Sequence, residues 1–236
     1  MNWMNREGSS VSVEAGGHYC YIVLMFQHRD FPYIPIKIPR YKILKRLGYH
    51  SRKIEVTGRI MEEVDELIEQ AAGLIELKAA ALRCSIEAVE GKDKGTAGFV
   101  AIGDEAVRFE SNKLCGFLSD SSEALIMGIT CGPAVTEEIK RLQHEKQMTA
   151  AVVIDAAASE IVDDGFDWIA ALYAKELVRE SRKLTARRFS AGYGDFDIRF
   201  QTDIHSMLNL EKLGVEITES SMLLPEKSVT AIYGIM

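Results

Sequence analysis

Residues 188–233 read RFSAGYGDFDIRFQTDIHSMLNLEKLGVEITESSMLLPEKSVTAIY, and they are the most informative part of the chain. The segment opens with a cation, Arg188, just before a Ser-Ala-Gly turn, and Tyr193 follows Gly192 directly. Glycine lets the backbone approach a ligand closely, and a guanidinium holds a carboxylate through two parallel hydrogen bonds. The opening therefore suits a ligand that resembles an amino acid.

Three ordered motifs give this segment its specificity. An Arg-x-x-x-Gly-Tyr element comes first, a Gly-x-x-x-Thr-Glu-Ser element follows a helix, and a Pro-x-x-Ser-Val strand closes the segment. In this order they resemble the C-terminal half of the activation domain of cobalamin-dependent methionine synthase. Fainter similarity in RYKILKRLGY, ALIMGITCGPAV and VVIDAAASE extends the resemblance over most of residues 37–236. The matching positions are Arg188, Gly192, Tyr193, Gly214, Thr218, Glu219, Ser220, Pro225, Ser228 and Val229.

The resemblance implies a function. Such a protein binds S-adenosylmethionine and supports reductive methylation of cob(II)alamin, which is held by a partner cobalamin-dependent methionine synthase. The electron comes from a flavodoxin- or ferredoxin-like protein, and the chain acts as a methyltransferase-type activation subunit. Two alternatives remain open: a module that senses S-adenosylmethionine or docks without presenting a methyl group, and reactivation of another corrinoid methyltransferase.

The resemblance also implies a set of ligand-binding residues. Arg188 holds the methionyl carboxylate, the backbone of Ser190, Ala191 and Gly192 holds polar edges of the ligand, and Tyr193 and Glu160 lie beside it. Tyr193 has an alternative interpretation as a core aromatic, and Glu219 and Ser220 have one as turn caps. Two departures from the family lower the expected affinity: GDFD replaces a Cys-Pro pair after Gly-Tyr, and a ligand-contacting tyrosine expected beyond the last strand has no counterpart before Met236.

The remaining sequence predicts an α+β fold with a twisted antiparallel central sheet and flanking helices, because helices and strands mix without regular alternation. Residues 1–36 are predicted to be an N-terminal extension and residues 37–236 the domain. Helical spacing predicts helices near 40–47 (with Tyr41, Leu44 and Leu47 on one face), over 60–77 and after Pro133, and a long one from 149 toward 180 with Gly165 as a candidate break. Strands are predicted at 82–88, 99–102, 123–130, 215–218 and 228–234, and a helix over about 200–213 precedes the last two strands. In the first strand, alternation places Arg83 toward solvent.

Composition excludes several classes of function. The net charge of −7 argues against nucleic-acid binding, and the longest apolar run, residues 19–26, is too short to cross a bilayer, so we expect a cytoplasmic protein with no membrane partner. Four scattered cysteines and five isolated histidines predict reduced thiols and no metal site. A basic run over residues 37–53 without an acidic residue is either a solvated face or a docking patch for an acidic partner.

Overall fold

A computed structural model describes residues 27–49, 58–91, 98–103 and 107–236. Two short 3-10 helices span Ile198–Phe200 and Leu210–Leu213. In chain order, the strands and α-helices are β1 (Gln27–Phe31), α1 (Arg40–Arg46), α2 (Gly58–Leu74), β2 (Lys78–Glu90), β3 (Phe99–Ile102), β4 (Val107–Glu110), α3 (Asn112–Leu118), β5 (Glu123–Thr130), α4 (Ala134–His144), α5 (Met148–Val178), α6 (Gln201–Leu208), β6 (Glu216–Ile217), β7 (Leu223–Leu224) and β8 (Ser228–Ile235).

The central sheet is antiparallel throughout and has the strand order β4-β3-β2-β5-β8, with β1 also paired to β2. The long strand β2 connects the part of the sheet that contains β3 and β4 to the part that contains β5 and β8. Residues 78–85 pair with β5, and from Ile86 onward β2 pairs with β3 after a register shift between Ile86 and Ala88. Such an irregularity bends a strand and increases its twist, so the sheet curls. The predicted α+β fold with a twisted antiparallel sheet is confirmed.

Both faces of the sheet are buried. One face packs against α2, α4 and α5 through side chains such as Leu125 and Met127, whereas the other packs against α3 and α6 through Ile126 and Leu82. Since successive side chains on a strand point to opposite faces, β5 is apolar at almost every position. The strand therefore reads as a continuous hydrophobic run rather than as an alternating one.

The prediction that Arg83 in β2 points toward solvent is wrong. Its side chain is not turned to solvent but is only 5% exposed, and it donates to Glu123 at 2.5 Å and to Glu180 at 2.6 and 2.8 Å. The hydrogen bonds to Glu180 are the largest influence that raises the arginine pKa. A buried charge needs such partners, because desolvation without them is costly.

The segment before residue 37 packs into the same unit as the rest of the chain. Strand β1 pairs with β2 from Gln27↔Arg83 to Phe31↔Ala79, and Ile34 is fully buried with its amide bonded to the Leu77 carbonyl at 3.1 Å. The predicted extension over 1–36 thus includes residues that belong to the sheet and core, while residues 1–26 lie outside the described part.

Several local predictions differ from the structure. In α1 the buried residue is Ile43, whereas Tyr41 is 75% exposed. The helix predicted over about 200–213 is divided at Asn209, which has a left-handed backbone. Strands β1, β4 and β7 and helix α3 were not predicted, because they are short, with lengths of 5, 4, 2 and 7 residues.

Gly165 does not break α5, which is continuous over 31 residues. The glycine is needed for close packing instead: a Cβ at this position would lie 2.5 Å from Ile129 Cδ1 on the sheet. Helix α5 therefore approaches the sheet closely at this point.

Gly165→Ala is expected to lower the free energy of unfolding by about 1 to 2 kcal/mol, because overpacking a core outweighs the helical preference of alanine. Gly73→Ala is the matched control, since Gly73 is also helical but has open space around it, and it should be neutral or slightly stabilising. Chemical denaturation of the three proteins measures both changes. A stabilising Gly165→Ala would contradict the close-packing explanation.

Candidate functional site

The segment that begins at Arg188 adds an extended piece of chain to the edge of β8. Phe189 and Ile232 exchange two backbone hydrogen bonds of 2.9 and 2.7 Å, and the Ser190 hydroxyl donates to the Thr230 carbonyl at 2.7 Å. The sheet thereby fixes the backbone that directly follows Arg188.

A tight turn follows at Gly192, whose φ of +88° lies in the region that favours glycine. The Gly192 amide donates to the Phe196 carbonyl at 2.7 Å, and the Tyr193 amide donates to the Ser190 carbonyl at 3.3 Å. Tyr193 is 69% exposed at the tip of this turn. Its interpretation as a core aromatic is therefore wrong.

The GDFD sequence that departs from the family pattern anchors this turn. Asp195 accepts hydrogen bonds from the Ser111 hydroxyl at 2.5 Å and from the amides of Asn112 and Lys113 at 2.9 and 3.2 Å. Phe196 is 1% exposed and stacks against Phe189 with a centroid distance of 6.0 Å. The departure thus serves to hold the loop against α3 and the core.

Asp195→Ala is expected to destabilise the protein by about 1 kcal/mol at neutral pH, the usual effect of losing a cap at the start of a helix. Its hydrogen bonds, first that from Ser111, hold the pKa of Asp195 below its ordinary value. A lowered pKa stabilises the fold above the ordinary carboxyl range, and this stabilisation is lost as the pH falls. The difference between wild type and Asp195→Ala should therefore shrink below about pH 4 in denaturation experiments, and a difference that grows there would contradict the capping role.

A cleft of about 570 Å³ lies between α5 and the edge formed by β8 and the 188–193 loop. This volume is within the usual range for small-molecule sites. Polar and charged side chains are prominent in its wall, together with a few apolar ones. The lining residues are Arg46, Ser159, Val162, Asp163, Arg188, Phe189, Ser190, Ala191, Tyr193, Gln201, Glu226, Lys227, Ser228, Val229 and Thr230.

An ion pair between Arg188 and Asp163 occupies one end of the cleft. The Arg188 guanidinium also lies over the Phe166 ring, 4.5 Å from its centroid. Burial raises the pKa of Tyr233, and the neighbouring Arg188 opposes that change. Arg188 is thus held by an aromatic ring and a carboxylate while its side chain remains 26% exposed.

The other end of the cleft is formed by Lys227 at the start of β8. Its ammonium group donates to Asp155 Oδ1 at 2.7 Å and to Ser159 Oγ at 3.0 Å. Between the two ends, the buried Gln201 accepts a hydrogen bond of 2.8 Å from the Thr230 hydroxyl. Helix α5 therefore contributes polar groups to both ends of the cleft.

The predicted ligand-binding residues fall into two groups. Arg188, Ser190, Ala191 and Tyr193 line the cleft, and Gly192 forms the turn that positions them. Glu160 does not line the cleft. Its carboxylate faces α1 and accepts a hydrogen bond of 2.7 Å from Arg46, and it is Arg46 that lines the cleft. Direct ligand contact by Glu160 stays a prediction without support from the geometry.

Sequence reasoning missed Asp163, Ser159 and Lys227. Asp155, Ser159 and Asp163 are spaced four apart, which places them on one face of α5. That spacing is visible in the sequence. An acidic helix face is usually solvated, however, so the sequence does not show that this face of α5 lines a cleft. Lys227 lies inside the Pro-x-x-Ser-Val element, at a position that the motif leaves open.

The Thr-Glu-Ser element forms the turn of the β6–β7 hairpin. The Thr218 hydroxyl lies 3.0 Å from the Ser220 hydroxyl and accepts from the Met222 amide at 3.0 Å. The turn interpretation of this element is therefore supported by the structure.

The basic run near α1 is largely paired within the chain. Arg40 binds Asp65 at 2.7 Å, Lys42 binds two α5 aspartates, and Arg46 binds Glu160. This pairing agrees with a solvated face, whereas a docking patch for an acidic partner stays a prediction. The residues from 50 onward in the run lie outside the described part. Helices that could span a membrane are absent from the described residues.

Comparison with known proteins identifies a fold. The structure is similar to a crystal structure of the MetH reactivation domain bound to AdoHcy, with a TM-score of 0.56 and 16% sequence identity over 89% of this chain and 78% of that chain. No family model matches the sequence, and a search of curated proteins finds no match. The chain therefore has the fold of the MetH reactivation domain, which confirms the sequence resemblance at the level of the fold.

Proposed function

We propose that this protein binds S-adenosylmethionine in the cleft beside α5 and serves as a methyltransferase-type activation subunit. In this role it supports reductive methylation of cob(II)alamin held by a cobalamin-dependent methionine synthase. The observation that carries the proposal is the Arg188–Asp163 pair at one end of a cleft of about 570 Å³, within the fold of the MetH reactivation domain.

The pair matches the charges of an α-amino acid. Such a ligand presents a carboxylate and an ammonium group on one carbon atom, and Arg188 and Asp163 present the two opposite charges side by side. Arg188 has donors to spare, since a guanidinium carries five N–H groups. The carboxylate would bind Arg188, and the ammonium group would bind Asp163.

The chemistry asks for positioning rather than for acid or base catalysis. A sulfonium methyl is already activated, so the protein must hold the donor in an oriented, partly dry site with its methyl accessible. The fixed backbone of Ser190 and Ala191 and the exposed ring of Tyr193 would orient the ligand at the open side of the cleft. The partner supplies the cobalt, and a flavodoxin- or ferredoxin-like protein supplies the single electron.

A reactivation assay tests this function. The protein is mixed with S-adenosylmethionine, a low-potential reductant and a cobalamin-loaded methionine synthase that lacks an activation domain, and absorbance follows the conversion of cob(II)alamin to methylcobalamin. We expect conversion that depends on the added protein and is lost with Arg188→Ala. Ligand binding without any protein-dependent methylation would contradict methyl presentation and favour a sensing or docking module. Activity with a different corrinoid methyltransferase alone would redirect the choice of partner.

A further inference from the structure

The polar groups around Lys227 are separate from the Arg188–Asp163 pair, and binding of an amino-acid group at that pair does not require them. Lys227 is only 19% exposed, and two of its three N–H groups are used by Asp155 and Ser159. No described residue accepts its third N–H in the structure. Ser159 is similarly placed, because its hydroxyl donates to the Asp155 carbonyl at 2.9 Å and accepts from Lys227, which leaves a further lone pair.

The two ends of the cleft are separated by the length of an extended small molecule. Asp155 and Ser159, which bind Lys227, lie roughly 12 and 6 Å from Asp163 along α5 by the helical rise. Along β8, Lys227 is five residues from Ile232, which pairs with Phe189, and this corresponds to roughly 16 Å of strand. A ligand bound at Arg188 by its amino-acid group would therefore extend toward Lys227.

The charge balance at Lys227 identifies the kind of group that fits there. Asp155 already neutralises the ammonium, so a second anion gains little attraction. A neutral group rich in hydrogen-bond acceptors suits the remaining donor. Val162 and Val229 supply apolar surface in the same cleft, which suits a flat ring.

We propose that Lys227 and Ser159 form the subsite for the nucleoside half of the ligand, with Lys227 Nζ donating to a ring nitrogen or a ribose oxygen. The inference rests on the proposed function, because it assumes that the amino-acid half lies at Arg188. It assigns the ligand a direction in the cleft and makes Lys227 a determinant of specificity for nucleosides.

Ligands that contain one half each separate the two subsites. The probes are S-adenosylmethionine, 5′-methylthioadenosine, which lacks the amino-acid group, and S-methylmethionine, which lacks the nucleoside. Dissociation constants are measured by calorimetry, or by saturation-transfer NMR where binding is weak. Lys227→Met should raise the constants of the two nucleosides by roughly tenfold or more, as expected for a lost charged donor, and leave that of S-methylmethionine unchanged.

Three controls make the result specific. Lys175→Met removes an exposed lysine of α5 that does not line the cleft and should change none of the constants. Lys227→Arg keeps a charged donor and should recover most of the nucleoside affinity. Arg188→Ala should show the reverse pattern, with S-methylmethionine weakened and 5′-methylthioadenosine little changed.

Two outcomes would overturn the inference. Equal weakening of all three ligands by Lys227→Met would mean that Lys227 only holds α5 against β8, and unchanged nucleoside binding would remove Lys227 from the site. In either case S-adenosylmethionine still binds the wild type, so the proposed function survives. Absence of S-adenosylmethionine binding by the wild type would instead end the proposed function and, with it, this inference.

Discussion

Arg188→Ala should weaken S-adenosylmethionine binding by about 2 to 4 kcal/mol, which is roughly a 30- to 1,000-fold rise in the dissociation constant. The reason is that a ligand carboxylate would lose a charge-assisted partner and would face Asp163 without a neighbouring cation. Calorimetric titration of the purified variant measures this change. Arg188→Lys should recover only part of the affinity, because an ammonium cannot form two parallel hydrogen bonds.

Arg187→Ala is the matched control for this variant. Arg187 is the preceding residue and also an arginine, but its side chain is exposed and does not line the cleft. Its removal should leave the dissociation constant within about twofold, since exposed charges interact weakly with distant groups. Equal affinities for wild type and Arg188→Ala would remove Arg188 from the site.

Phe196→Ala should lower the free energy of unfolding by about 3 to 5 kcal/mol, the usual effect of removing a buried aromatic ring. Phe196 is 1% exposed and contacts Phe109, Phe189 and Phe200 at centroid distances of 5.6, 6.0 and 5.5 Å. Few neighbours can fill the space left by the ring, because the aromatic cluster ties together β4, the 3-10 turn before α6 and the Arg188 loop. Denaturant titration measures the loss.

Tyr193→Ala provides the comparison for Phe196→Ala. The Tyr193 ring is 69% exposed on the same loop, so its removal should change the unfolding free energy by no more than about 0.5 kcal/mol. Similar losses for the two variants would show that the loop is not anchored through Phe196.

Buried apolar runs with clear ends were predictable from the sequence. The bounds of β3 and β5 agree with the predicted strands at 99–102 and 123–130, because such runs depend on local pattern alone. A helix is present after Pro133 as predicted, and Val135, Ile139 and Leu142 are among its buried residues. Continuous or helically periodic hydrophobicity is sufficient for elements of this kind.

Features set by distant partners were not predictable in the same way. Arg83 is buried because Glu180, 97 residues away in sequence, meets it, and helix α3 starts where Asp195, 83 residues beyond Asn112, binds its first amide groups. In the candidate site, too, the local motif was predictable and the contacts with distant residues were not. Arg188 was predicted from its motif, whereas its pairing with Asp163 depends on how α5 packs beside the sheet.

Titration of the wild-type protein with S-adenosylmethionine in a calorimeter tests the central claim most directly, because both the methyl-donor role and the cleft assignment require this complex. We predict saturable binding at one site per chain with a dissociation constant between micromolar and millimolar. 5′-Methylthioadenosine and S-methylmethionine should each bind more weakly, since each lacks the groups that one end of the cleft recognises. No saturable binding of S-adenosylmethionine at millimolar concentration, or the same affinity for Arg188→Ala as for wild type, would contradict the account.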